Sequence, residues 1–275
     1  MLLPNFFILC SICFALPQST SGSLSVGQLL EDVRAQLPRE SLVISGDLIV
    51  RKRKGIVTRT LTFDMSLNLG SQPETLRCVI RDAFGKELEQ LTVTHRAGQE
   101  PCFEYAAGSS LSPSDLPSLF DCVQGTDISW TDLTLSFLWW RGGTTVGIET
   151  IRGRSCLVVE VPTPAGLRHA VPGSAGGFAE ARTATAALAG ESTPEAGTQA
   201  GRQYERVLLW IDEKLRVVLQ AEGYDSGGKL VRRFWINSFK KIDDKWMLKD
   251  MEVESFPSTH RTRLRVREVC PPVAR

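Results

Sequence analysis

Between residues 57 and 68 the chain alternates strictly, and that alternation constrains the fold more than any other feature. Val57, Arg59, Leu61, Phe63, Met65 and Leu67 fall on one phase, with Thr58, Thr60, Thr62, Asp64, Ser66 and Asn68 on the other. A period of two places successive side chains on opposite faces of an extended strand, so this segment is a strand with one apolar face from Leu61 onward. Strands are also expected over 42–54, 75–81, 88–95 and 101–105 in the first half. The second half adds 144–151, 156–161, 205–212, 216–224, 229–242, 246–255 and 261–269. Lys54-Gly55, Arg152-Gly153-Arg154, Asp212-Glu213-Lys214, Asp225-Ser226-Gly227-Gly228 and Asp243-Asp244 supply turns between them. These residue types suit tight hairpins. Connections this short imply sequential antiparallel pairing, as in a meander or barrel.

Two segments read as helices. Over 24–37, Leu24, Val26, Leu29, Leu30, Val33 and Leu37 share a face opposite Glu31, Asp32, Arg34 and Gln36, and Pro38 ends the run. Between 109 and 127 the strand pattern breaks at Pro113, Pro117 and Gly125. Residues 128–140 then carry Trp130, Leu133, Phe137 and Trp140 at spacings of three and four. That spacing predicts a short amphipathic helix, with Ser129 as its N-cap and Asp132 at the third helical position.

The first 22 residues are a short apolar run ending in Pro17 and a small, polar stretch. Such a run is too short to span a bilayer and suits a cleaved secretory signal, which places the remaining 23–275 in the periplasm as one β domain. Cys10 follows Leu9 and Cys13 follows Ile12, so neither offers the small preceding residue that lipidation requires. Five cysteines remain, at 78, 102, 122, 156 and 270, without a CxxC pair or a neighbouring His. Zinc is therefore not expected. In an oxidising compartment Cys102 and Cys122, separated by a short loop, are the expected disulfide pair. Residues 164–203 contain 11 Ala and 7 Gly with Phe178 as the one aromatic. Little apolar surface can be buried there, and a disordered insertion is expected.

Catalytic signatures are missing. The sequence has no GxSxG, HExxH, phosphate loop or EF-hand pattern. Its net charge of +1 argues against nucleic acid as a partner. No metal, cofactor or catalytic residue is expected. Asp243-Asp244 reads as a solvated turn and His95 as a strand-end residue. Arg261, Arg263, Arg265 and Arg267 share one face of the last strand. That face is either the solvent side of an amphipathic strand or, in a sharper reading, a stripe for an anionic head group or acidic partner. The tryptophans at 130, 139, 140, 210, 235 and 246, with Phe137, form the most informative group. An apolar helix on a twisted sheet can be plain core. Alternatively, a sheet that curves without closing can enclose an apolar cavity.

Tyr204 to Asp212, Val218 to Asp225, Gly228-Lys229-Leu230, Phe239-Lys240-Lys241, Trp246 and Met251-Glu252-Val253 together resemble the outer-membrane lipoprotein-sorting proteins, the LolA-like family. Ile128 to Leu133, Phe137 to Trp139 and Gly153 to Val159 are similar to the same pattern. The resemblance implies a mainly β fold of the LolA/LolB type, an unclosed antiparallel barrel of about eleven strands with short α-helices as a lid. It further implies a monomeric, non-enzymatic carrier whose apolar interior shields lipid acyl chains or lipoprotein cargo. Membrane-bound donor and acceptor proteins would be its partners. On that reading Trp130, Leu133, Phe137 and Trp140 form the lid face, and Leu61, Phe63 and Met65 belong to the cavity wall. The alternative on the same fold is an envelope sensor or protein-binding module. The insertion at 164–203 departs from the family pattern.

Overall fold

The computed structural model describes residues 25–52, 55–108, 111–168, 203–242 and 245–271. The expected signal peptide at 1–22, residues 169–202 of the expected insertion, and the turn residues Lys54, Asp243 and Asp244 lie outside them.

Helix α1 (Val26–Ala35) opens the described chain, and the strands that follow are β1 (Leu42–Arg51), β2 (Val57–Asn68), β3 (Glu74–Arg81), β4 (Glu87–His95), β5 (Cys102–Ala107) and β6 (Ser112–Pro113). A connection over 114–143 holds the one-turn helix α2 (Trp130–Leu133) and a 3-10 turn, Ser136–Trp139. The second half comprises β7 (Thr144–Ile151), β8 (Arg154–Pro162), α3 (Ala165–Arg168), β9 (Arg206–Asp212), β10 (Val218–Tyr224), β11 (Leu230–Ile242), β12 (Lys245–Ser255) and β13 (Arg261–Cys270).

All thirteen strands belong to one antiparallel sheet, in the order β6-β5-β4-β3-β2-β1-β13-β12-β11-β10-β9-β8-β7. Each half is therefore a meander, and the two halves are joined where the first strand pairs with the last, Leu48 opposite Leu264. The strands left without a mutual partner are β6 and β7, which are neighbours in sequence. The sheet fails to close where a connection of 30 residues, 114–143, separates β6 from β7. The barrel is thus unclosed, with thirteen strands where about eleven are expected. β6, two residues long, falls within the stretch where the alternation breaks.

The alternation of β2 survives intact. Leu61, Phe63, Met65 and Leu67 are buried while Thr62, Asp64, Ser66 and Asn68 are half-buried on the other face. The matching phases of β3, β4, β9, β12 and β13 (Ile80, Leu91, Leu209, Val253 and Leu264) join them in one apolar cluster. α1 contributes Val26, Leu29, Leu30 and Val33 to the same cluster, and its Ser25 side chain accepts the Gln28 N–H as the N-cap. A smaller second cluster of Cys156, Val158, Trp210, Val217 and Leu219 lies on the opposite phase of β8 and β9.

Two further expectations need correction. The single helix over 128–140 is two one-turn pieces, broken at Leu135, whose φ of 51° and ψ of 34° are left-handed. Thr134 contributes to the break by turning its hydroxyl back onto the Trp130 carbonyl (2.7 Å), a local bond that competes with helix continuation. Cys102 and Cys122 are free thiols rather than a disulfide. Cys102 lies exposed at the start of β5, whereas the Cys122 sulfur faces the Arg232 guanidinium. The arginine stripe of β13 is largely neutralised by its neighbours: Arg261 pairs with Glu254, Arg263 with Asp250, and Arg267 with Asp47. Of the two readings open for that face, this favours the solvent side of an amphipathic strand.

Candidate functional site

The seven residues singled out from sequence are brought together. Trp130, Leu133, Phe137 and Trp140 from the connection meet Leu61, Phe63 and Met65 from β2 in a single buried apolar cluster. Trp130 and Phe137 are each 1% exposed. The side chains that span the opening therefore occupy the concave face themselves. The connection holds them there by two unlike means.

Its first part, 119–134, is fixed to the sheet by polar bonds. Ser129 and Asp132 form a capping box, in which each side chain takes the other's backbone N–H. Asp132 also accepts the Tyr204 hydroxyl at 2.8 Å and faces Arg232 of β11 at 3.5 Å. Arg232 donates further to the Phe120 carbonyl (3.2 Å), to the Tyr204 Oη (3.2 Å) and to the Cys122 Sγ (2.9 Å). Tyr204 reaches this position because β10 carries glycine beneath it: a Cβ on Gly223 would stand 2.5 Å from the ring. Burial alone would push the Arg232 guanidinium down, but Tyr204 and Asp132 outweigh it and hold it charged. Burial pushes the Tyr204 phenol up.

Two further attachments resemble this one. Thr262 of β13 accepts the Asp127 N–H and donates to the Asp127 carboxylate, both at 2.9 Å. Glu89 of β4 accepts the Tyr105 hydroxyl at 2.6 Å and lies beside Gln124. Burial raises the pKa of both Glu89 and Asp127, against their hydrogen bonds.

The second part, 135–140, is held mostly by rings. Phe137 stacks on Phe234 (centroids 5.6 Å apart) and meets Trp140 edge-on at 6.4 Å. Trp139 stacks on His95 at 4.6 Å and 10°. Arg34 of α1 donates to the Leu138 carbonyl at 2.5 Å and lies over Trp139 at 6.0 Å. Burial, with Arg34 beside it, pushes the His95 imidazole down to about 4. Left-handed Leu135 precedes this aromatic flap, and Gly142 and Gly143, both at positive φ, follow it.

Arg232, Glu89, Thr262 and His95 were not among the residues the sequence marked. The first three do carry a signal. Arg232 shares its phase with Phe234 and Ile236, Glu89 with Leu91 and Val93, and Thr262 with Leu264. A polar residue on the apolar phase of a strand must find a buried partner. Arg232 and Thr262 find theirs in the connection, while Glu89 bonds Tyr105 of β5 and lies beside Gln124 of the connection. Among the described residues, no group of three or more His, Cys, Asp or Glu side chains is placed to hold a metal.

Known structures of the same shape place this arrangement in context. A crystal structure of a DUF1329 family protein from Desulfovibrio piger superposes with a TM-score of 0.65 at 16% identity, covering 90% of this chain and 92% of that one. A Vibrio parahaemolyticus domain named for outer membrane lipoprotein sorting gives 0.64 at 11% identity, over 90% and 93% of the two chains. A LolA superfamily protein from Nitrosomonas europaea gives 0.62 at 14%, over 92% and 96%. The chain shares the LolA-like fold. A family model described only as "uncharacterized protein" matches residues 180–271. No curated protein matches the sequence.

Proposed function

We propose that the protein is an envelope carrier whose concave sheet face receives lipid acyl chains, free or attached to a lipoprotein. The observation that carries this reading is the construction of the opening. The sheet stops at β6 and β7, and the connection lays Trp130, Leu133, Phe137 and Trp140 onto the inner wall formed in part by Leu61, Phe63 and Met65. An aromatic flap bounded by a left-handed residue and two glycines can be exchanged for another apolar occupant without breaking a strand pair. Each methylene of an entering acyl chain is worth about 0.8 kcal/mol on leaving water. Displacing the flap costs part of that gain, which keeps binding reversible. The fold it shares with a domain named for lipoprotein sorting supports the same reading. We read residues 1–22 as the export signal, with the carrier acting in the periplasm as a non-enzymatic monomer. Donor and acceptor partners would be membrane-bound.

The test is to purify the mature chain from the periplasm without detergent, extract it with organic solvent and analyse the extract by mass spectrometry. A stoichiometric lipid or acylated peptide is expected, and Phe137→Asp should reduce it while leaving strand content intact. An empty extract from the wild-type protein, with no acyl chain taken up from added palmitate, would sink the proposal.

A further inference from the structure

The two borders of the opening are not alike. On one side β5 is covered by β6 and then by the connection itself, where the Ser114 N–H bonds the Tyr105 carbonyl at 3.1 Å. On the other side β7 pairs only with β8, and among the described residues its outer edge has no backbone partner. Its composition is unusual for an uncovered edge. Thr144-Thr145-Val146-Gly147-Ile148-Glu149-Thr150-Ile151 is rich in β-branched residues and lacks Lys, Arg and Pro. Six of its eight residues are exposed, with Val146 at 59% and Ile148 at 63%. Its single charge, Glu149, already accepts the Trp210 indole N–H at 2.8 Å. Native sheets normally blunt such an edge with charge, proline or a covering segment, because it is a template for another strand. The one such device here is an irregularity between Thr145 and Gly147, which leaves 147–151 regular.

We infer that β7 binds an extended segment of polypeptide as an added strand, and that this segment is the chain tethered to the acyl group in the concave face. This rests on the carrier reading. The flap that would yield to an acyl chain runs through Gly142 and Gly143 directly into Thr144. A polypeptide attached to a chain held beneath the flap therefore emerges at the β7 edge. Backbone pairing accepts any sequence that can extend, with side-chain contacts at Val146 and Ile148 favouring neutral or apolar residues. A second copy of the protein is the less suitable occupant. A five-residue regular edge between two twisted barrels offers a narrow strip, far from the roughly 1,000 Å² that a specific interface buries. A tethered segment needs less, since the acyl chain already holds it at high effective concentration.

The probes are a palmitoylated ten-residue peptide of Ser, Thr and Val, its unacylated form, its form with alternate backbone nitrogens methylated, and palmitate alone. Affinity and hydrogen exchange of the 144–151 amides are measured for each. The acylated peptide should bind on the order of a hundredfold more tightly than palmitate, and should protect the β7 amides. Backbone methylation, or Ile148→Lys in the protein, should erase both effects and leave palmitate binding unchanged. Equal affinity for acylated peptide and palmitate, with β7 exchange unaltered, would overturn the inference and leave the carrier intact. Failure of palmitate to bind, with β7 still protected by millimolar unacylated peptide, would overturn the carrier and keep the edge site. Protection that grows with protein concentration alone would assign the edge to a second copy and overturn the tethered segment.

Discussion

The base of the connection, 119–134, and its flap, 135–140, lie side by side over the same apolar face, yet they are secured by opposite kinds of force. The base is secured by an ion pair and hydrogen bonds among buried polar groups. The flap is secured by stacked rings, one carbonyl bond to Arg34 and the burial of Phe137 and Trp140. Buried polar bonds are directional and cost a great deal to leave half-made. Apolar contacts are non-directional, so one greasy occupant can replace another. On the carrier reading proposed above, the contrast separates a part that stays with the sheet from a part that an acyl chain would replace.

The largest expected effect breaks the base. Arg232→Met leaves the Asp132 carboxylate buried without its cation and should cost about 3–5 kcal/mol in urea unfolding. Replacing both partners with apolar residues of similar size should recover most of that loss. A single-site cost below about 1 kcal/mol would mean that the ion pair does not hold the base. Ser129→Ala is smaller. It removes one half of the capping box and should cost about 1 kcal/mol, with palmitate affinity little changed because the flap is untouched.

The smallest effect in stability is the most discriminating. The closed flap lowers the His95 pKa from 6.5 to about 4. A base whose folded pKa is depressed favours the closed form fully above pH 6.5, and that support is lost as pH falls towards 4. Asp127 in the base and Glu89 of β4 carry raised pKa values, so their sign is reversed: their contribution is complete at low pH and is lost as pH rises through the raised values. Acid should therefore loosen the flap while it tightens the base. In an NMR titration, Trp139→Ala should bring the His95 midpoint up towards 6.5. A midpoint that stays near 4 would show that the stack is not what excludes the proton.

Much of this was readable from residue order. The strict alternation of β2 marked Leu61, Phe63 and Met65 as inward-facing, and the spacing of Trp130, Leu133, Phe137 and Trp140 marked a single apolar face. The break at Leu135 was not readable. Leu-Thr-Leu-Ser-Phe has no glycine or asparagine to mark a left-handed position, yet Leu135 adopts one next to Thr134, whose hydroxyl bonds the Trp130 carbonyl. The proposed Cys102–Cys122 bridge failed because closeness in sequence does not fix the direction of a side chain, and Cys122 turns towards Arg232. His95 ends its strand as its position implied, but its stacking on Trp139 joins residues 44 positions apart in the chain.

By itself the sequence determined the strands, their apolar phases, the helix that precedes them and the aromatic connection between the two halves. Those properties are local, because a period of two or of three and four is written within each segment. Only the tertiary structure decided that β1 pairs with β13 and that the sheet stays open between β6 and β7. It also decided that Arg232, Glu89 and Thr262, from β11, β4 and β13, lie against the connection. Such pairings depend on which faces can be covered together when the whole sheet curves, and that requirement is not carried by any one segment.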